Sequence, residues 1–205
     1  MKMRFLRLTY TIQQITPLHI GTGTGHQGFV NKSFYRDKDL DGKSDLPVIP
    51  GSTIKGRLKA AVRALLEGGV LGECSHQPEV DCRCLLCLIF GREGNQRGVL
   101  SFDDARPVHP GQTLPPMIRY GIAMDRYRHV AQEHSLYSAE MAGYRGNLYQ
   151  GQIAGHVPLD HYSAIIEAIR AGFSFEYAMG FGKSRGSGWM EVIAVEEVAN
   201  ACNTN

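Results

Sequence analysis

The densest chemistry in the chain is a run of thiols. Four of its five cysteines fall at Cys74, Cys82, Cys84 and Cys87. Cys84 and Cys87 form a C-x-x-C pair, which places two thiolates on one turn, and Cys74 and Cys82 can return across the intervening loop to complete a tetrahedral zinc site. His76 is an alternative ligand. With four or five donors at hand no coordination position is left open, so the zinc expected here is structural. Free thiols are the plainer alternative, and disulfides do not suit an intracellular chain. A second cation motif fails on inspection. Asp37-Lys-Asp39-Leu-Asp41-Gly42 opens like a calcium loop, but Val48 stands at the twelfth position where a Glu is required, so it reads as an acidic hairpin tip.

Two segments could meet phosphate. The run Gly180-Phe-Gly182-Lys-Ser-Arg-Gly186-Ser-Gly188 is neither a Walker loop, because Tyr177 occupies the place of its first Gly, nor a dinucleotide fingerprint, because Arg185 replaces the third. Two readings stay open: a flexible basic loop offering backbone N–H groups with Lys183 and Arg185, or a tight turn between strands. Between 119 and 149, Arg119, Arg126, Arg128 and Arg145 interleave with Tyr120, Tyr127, Tyr137, Tyr144 and Tyr149. Alternating cations and rings suit single-stranded nucleic acid, and equally a protein interface. The eight His are scattered along the chain and by themselves mark no hydrolase triad.

These groups need a scaffold, and the hydrophobic pattern supplies one. Residues 4–16 alternate as a half-buried strand with Leu6, Leu8, Tyr10 and Ile12 on one side. Further extended pieces are expected at Phe29–Arg36, Leu46–Ile49, Val99–Phe102, Gln150–Val157 and Trp189–Val195. One helix starts at Ser52 as N-cap, carries Ile54, Leu58, Val62, Leu65 and Leu66, and stops at Gly68-Gly69. Its other face presents Lys55, Lys59 and Arg63 at i, i+4, i+8. A second helix is capped by Asp160, carries Tyr162, Ile165, Ile166 and Ile169, and closes at Gly172. Stripped of insertions the order is β-α-β-β-α-β, an α+β, ferredoxin-like arrangement shared with RNA-recognition domains. At 205 residues, 43% hydrophobic and 20% charged, the chain is expected to be one folded domain over 1–205 with insertions at about 72–91 and 117–148. The second insertion reads as a projecting hairpin. A net charge of +2 does not mark a nucleic-acid binder by composition. No apolar stretch reaches the ~18 residues of a membrane span, and the N-terminus alternates instead of forming a signal, so no membrane partner and a cytoplasmic location are expected.

Four strings then combine. Thr16-Pro-Leu-His-Ile-Gly-Thr-Gly23, Val48-Ile-Pro-Gly-Ser-Thr-Ile-Lys-Gly-Arg57, Cys84-Leu-Leu-Cys-Leu-Ile-Phe-Gly91 and the 180–188 glycine run resemble, in order, the RAMP superfamily proteins of CRISPR systems. The zinc segment and the short length resemble in particular the repeated backbone subunit of type III effector complexes. That resemblance implies a modified RNA-recognition fold and a filament of copies or sister subunits alongside large and small effector subunits. It also implies a thumb hairpin that distorts the pairing of CRISPR guide RNA with complementary target RNA. It assigns RNA contacts to His19, Gly21, Gly23, Ser52, Lys55, Arg57, Lys59, Met124, Arg126, Gly182, Lys183, Ser184 and Arg185. In catalytic members a loop Asp assists cleavage of target RNA with magnesium or manganese. Here Asn31 holds that position, and an amide neither carries negative charge nor accepts a proton at neutral pH. The expectation is antiviral guide binding without cleavage. The alternatives are an active endoribonuclease in a form with aspartate in place of Asn31, and a standalone zinc-stabilised RNA- or protein-interaction module.

Overall fold

A computed structural model describes residues 2–21, 32–38, 45–72, 82, 84–92, 96–109, 116–143 and 146–199. The fold is mixed α+β, and all its named strand pairings are antiparallel. In chain order the first elements are β1 (Met3–Gln14), β2 (Arg36–Lys38), β3 (Asp45–Pro47), α1 (Gly51–Glu67) and α2 (Leu85–Phe90). Four short strands follow: β4 (Gly91–Arg92), β5 (Gln96–Arg97), β6 (Ser101–Phe102) and β7 (Arg106–Pro107). Then come β8 (Met117–Gly121), β9 (Tyr137–Met141), β10 (Leu148–Pro158), α3 (Tyr162–Phe175) and β11 (Met190–Glu197).

The main sheet runs β11-β1-β10-β6, with β7 extending the β6 edge along β10. Taking β1, β6, β10 and β11 as the four strands of the β-α-β-β-α-β order, this is fourth-first-third-second, compatible with an RNA-recognition-like fold. β1 buries Leu6, Leu8, Tyr10 and Ile12, as its alternation requires. Against them pack Ile54, Leu58 and Val62 of α1 and Ile165, Ile169 and Phe173 of α3. The Tyr10 and Phe173 rings lie 4.9 Å apart between the layers. β8 and β9 form a separate hairpin whose outer strand exposes Met117, Ile118 and Tyr120.

Several local expectations need correction. Ser52 does not cap α1: the helix begins at Gly51, and Asp104, reaching in from the β6–β7 turn, accepts the Gly51 N–H at 2.7 Å. The orphan donor is met by a residue remote in sequence, so no local signature could show it. Asp160 does not cap α3 either; it sits in a 3-10 turn over Leu159–His161, and the helix follows His161. Gly172 lies inside α3, which continues to Phe175. A Cβ there would meet Val62 Cγ2 at 3.0 Å and Leu58 Cδ2 at 3.2 Å, so this glycine marks the crossing of the two helices. In the expected strand at 29–36, residues 29–31 lie outside the described residues. Lys32 and Phe34 make only isolated bridges, and regular pairing starts at Arg36. Among the described residues no helix is long and apolar enough to cross a membrane.

Candidate nucleic-acid interface

The segment leaving β1 is gripped from two sides. Leu18 O accepts the Ala142 N–H at 2.7 Å from the end of the β8–β9 hairpin, while Pro17 O and His19 O accept the N–H groups of Gly188 and Phe181 at 2.8 and 2.9 Å. Glycine is required at this second seam. With φ of +73°, a Cβ on Gly188 would stand 1.9 Å from Met179 O. The glycine run therefore folds as a tight turn, with Lys183 and Arg185 carried on it. Lys183–Arg185 form one 3-10 turn flanked by left-handed Gly182 and Gly186, and the N–H groups of Arg185, Gly186 and Ser187 bond within it.

Hairpin and turn enclose a cleft of about 330 Å³. Arg119, Tyr120, Ile122, Tyr137, Phe181 and Arg185 are among its lining residues, and no acidic group lines it among the described residues. Arg185 Nη1 donates to Tyr137 Oη at 2.9 Å, and Arg119 Nη1 to Ser187 Oγ at 2.8 Å, so each cation is held at the cleft wall by a neutral partner that leaves its charge uncancelled. Lys32 Nζ lies 3.9 Å from the centre of the Phe181 ring and 5.4 Å from that of Tyr137. Beneath them His19 is buried. Its Nδ1 lies 2.5 Å from Glu140 O, an acceptor only, so that nitrogen carries the hydrogen. The Glu140 carboxylate accepts the Phe34 N–H at 3.1 Å and pairs with Arg36, which fixes the floor.

The residues expected from sequence divide into separate places. His19, Gly182 and Arg185 gather at this cleft, with Lys183 and Ser184 in its turn and Gly21 at the end of the gripped segment. Met124 and Arg126 lie further out, in the exposed loop between β8 and β9. There the Asp125 carboxylate accepts the N–H groups of Tyr127 and Arg128 at 2.8 and 3.0 Å, and those bonds hold it below the usual carboxylate range. Gly23, Asn31, Tyr144 and Arg145 lie outside the described residues, as does the Asp39–Asp41 part of the acidic tip. Ser52, Lys55 and Lys59 belong to α1, where Lys55 and Lys59 face a different groove that also holds Arg92 and Arg97. Arg57 is engaged elsewhere: its guanidinium pairs at 2.5 Å with the buried Glu176. Lys32 and Phe181, whose cation–ring contact borders the cleft, had not been singled out from sequence as contacts. The one available signal was a large ring set inside the glycine run.

The thiols form a second centre. Cys84 directly precedes α2 and Cys87 lies in its first turn. The sulfurs of Cys82, Cys84 and Cys87 lie within 4.8 Å of one another, close to the about 3.8 Å that four zinc–sulfur bonds impose. Burial, then the neighbouring Cys84 and Cys82, push the Cys87 thiol up to about 12. Such a donor set fits zinc, which takes the thiolates. Cys74 and His76 lie outside the described residues.

No curated protein matches the chain. A family model described as the RAMP superfamily matches residues 11–191, from within β1 to the start of β11, and takes in the cleft and the thiol segment alike. On that match the chain belongs to the RAMP superfamily, whose general role is CRISPR-associated RNA binding.

Proposed function

We propose that the chain is a guide-RNA-binding backbone subunit of a type III CRISPR effector complex, acting in antiviral defence in the cytoplasm. It is one domain over 1–205, with a zinc-bearing insertion at about 72–91 and a thumb at 117–148. It assembles beside further copies or sister RAMP subunits, together with large and small effector subunits. The cleft between the β8–β9 hairpin and the glycine turn carries this reading. Lys32, Arg119 and Arg185 supply charge for phosphates, and the Tyr120, Tyr137 and Phe181 rings supply faces on which bases stack, worth about 1–3 kcal/mol per base. A base displaced from the guide–target pairing is the ligand such a mixture of rings and cations suits. Asn31 holds the position of the family's assisting carboxylate, so target RNA is bound and left uncut at this subunit. The Asn31→Asp form is the endoribonuclease.

Two measurements test this. Purified protein should carry discrete short RNAs, and Arg119→Ala with Arg185→Ala should lower the slope of log affinity against log salt by about 1.4, two phosphate contacts at about 0.7 each on single strands. The loss should be equal on unrelated sequences. A loss confined to one sequence contradicts backbone contact. Protein free of RNA that neither assembles nor binds guide fits the standalone module instead.

A further inference from the structure

Arg57 and Glu176 meet in a small hollow between α1 and the end of α3, otherwise lined by apolar side chains such as Ile12, Leu58, Phe173 and Met190. Arg57 Nη2 donates to Glu176 Oε1 at 2.5 Å, and only 32% of the Arg57 side chain and 7% of that of Glu176 are exposed. Arg57 Nε is buried and has no hydrogen-bond partner among the described residues. Desolvation takes back most of the attraction in so deep a pair, and a donor left unmet adds to the cost. Uncharged side chains of similar size would hold the helices together about as well. The pair is a poor staple for the fold.

Its place along the chain is more telling. Glu176 directly follows α3, where its N–H bonds to Gly172 O and Phe173 O, and its Oε1 also accepts the Ala178 N–H at 3.4 Å. From Glu176 a strap runs into the glycine turn, tied at every step to the segment that closes that turn. Tyr177 O accepts the Met190 N–H at 2.9 Å, Ala178 bridges Trp189, and the Met179 N–H donates to Gly188 O at 2.9 Å. Gly180, with φ of +83°, passes so close to His19 O that a Cβ would stand 2.3 Å from it. With no slack in the strap, a shift at Glu176 is passed on to Phe181 and Arg185, which line the cleft.

Taking the cleft as the RNA site, as above, we propose that Arg57 and Glu176 are a positioning pair for RNA binding. Arg57 does not touch phosphate. It draws Glu176 onto α1, and the strap then sets where Phe181 and Arg185 stand in the cleft.

The test uses the full chain with labelled oligouridylate and oligoadenylate, titrated over a range of salt. Arg57→Met, Glu176→Gln and the two combined should each lower affinity about tenfold on both oligomers, a size usual for residues that act without touching the ligand. The combined loss should not exceed either single loss, because both substitutions break one interaction. The slope of log affinity against log salt should stay that of the unaltered chain. The combined variant leaves no unpaired charge and keeps an acceptor for the Ala178 N–H, so its denaturation midpoint should hold. Emission from Trp189, the single tryptophan, should shift in all three as the strap moves. A slope lower by about 0.7 in Arg57→Met, with Glu176→Gln binding normally, makes Arg57 a phosphate contact and overturns the proposal. Unchanged affinity in the combined variant overturns it, as does affinity lost only in step with the folded fraction. If Arg119→Ala with Arg185→Ala leaves binding intact, the cleft itself is the wrong site and both readings fall.

Discussion

Asp125 shows how a single side chain sets a loop. Its carboxylate accepts two consecutive N–H groups at the tip of the β8–β9 hairpin, and those bonds depress its proton affinity. A carboxyl whose folded value is depressed contributes order above its unfolded value, about 3.9, and that order is lost as pH falls through the lower folded value. Amide signals of Tyr127 and Arg128 should therefore hold steady at neutral pH and shift together in acid. Asp125→Asn should keep the turn without the titration, because an amide oxygen also accepts, and Asp125→Ala should lose both. At the thiols, Cys84→Ser or Cys87→Ser should abolish about one bound zinc per chain by elemental analysis. Segment 72–91 should loosen, leaving the packing of α1 on α3 in place. An unmetallated wild-type protein of equal stability would refute the site. Such pairings within a few residues are legible in sequence, as C-x-x-C was. The Lys32–Phe181 contact joins residues about 150 positions apart and leaves no local trace.

Among the elements, β1 and the hydrophobic stripes of α1 and α3 could be read directly, since alternation and helical spacing are local properties of one face. Their ends could not. The start of α1 is fixed by Asp104, and the continuation of α3 through Gly172 by the approach of Leu58 and Val62. A stability measurement separates the two candidate caps. Asp104→Ala should cost about 0.5–2 kcal/mol in chemical denaturation, the usual value of a lost N-cap, whereas Ser52→Ala on the exposed first turn should fall within about 0.5 kcal/mol of wild type. The reverse order would restore Ser52 as the cap. The groove that holds Lys55 and Lys59 was illegible for the same reason as the cap. Its cations come from α1, the β4–β5 hairpin and β10, brought together only by the sheet order.

For the whole molecule, the pieces of the order β-α-β-β-α-β were readable one by one, and the antiparallel main sheet with α1 and α3 packed against it is compatible with that order. The consequence of Asn31 belongs at the scale of the assembled complex, because cleavage needs guide, target and neighbouring subunits in place. Asn31→Asp, assembled with guide RNA and partner subunits in magnesium or manganese, should cleave complementary RNA at regularly spaced sites. The chain as it stands should bind the same target without cutting it. A general acid or base supplies about 10²- to 10⁴-fold in rate, so an hour's incubation separates the two. Equal cutting by both forms would move attention to the carboxylates of Asp37 and Asp125. Both are already engaged, Asp37 with Arg106 at 2.5 Å and Asp125 with its own turn.

The position of β11 at the rim of the sheet has a colloidal consequence. An outer strand of eight residues offers unpaired main-chain groups to any other chain, and Ile193 on it is 53% exposed. Glu191 and Glu196 are also exposed along it, and two copies approaching rim to rim would bring these like charges together. Like charges on this rim oppose the addition of one sheet to another. Glu191→Gln with Glu196→Gln should therefore raise the turbidity of concentrated protein while leaving the packing of α1 and α3 in place.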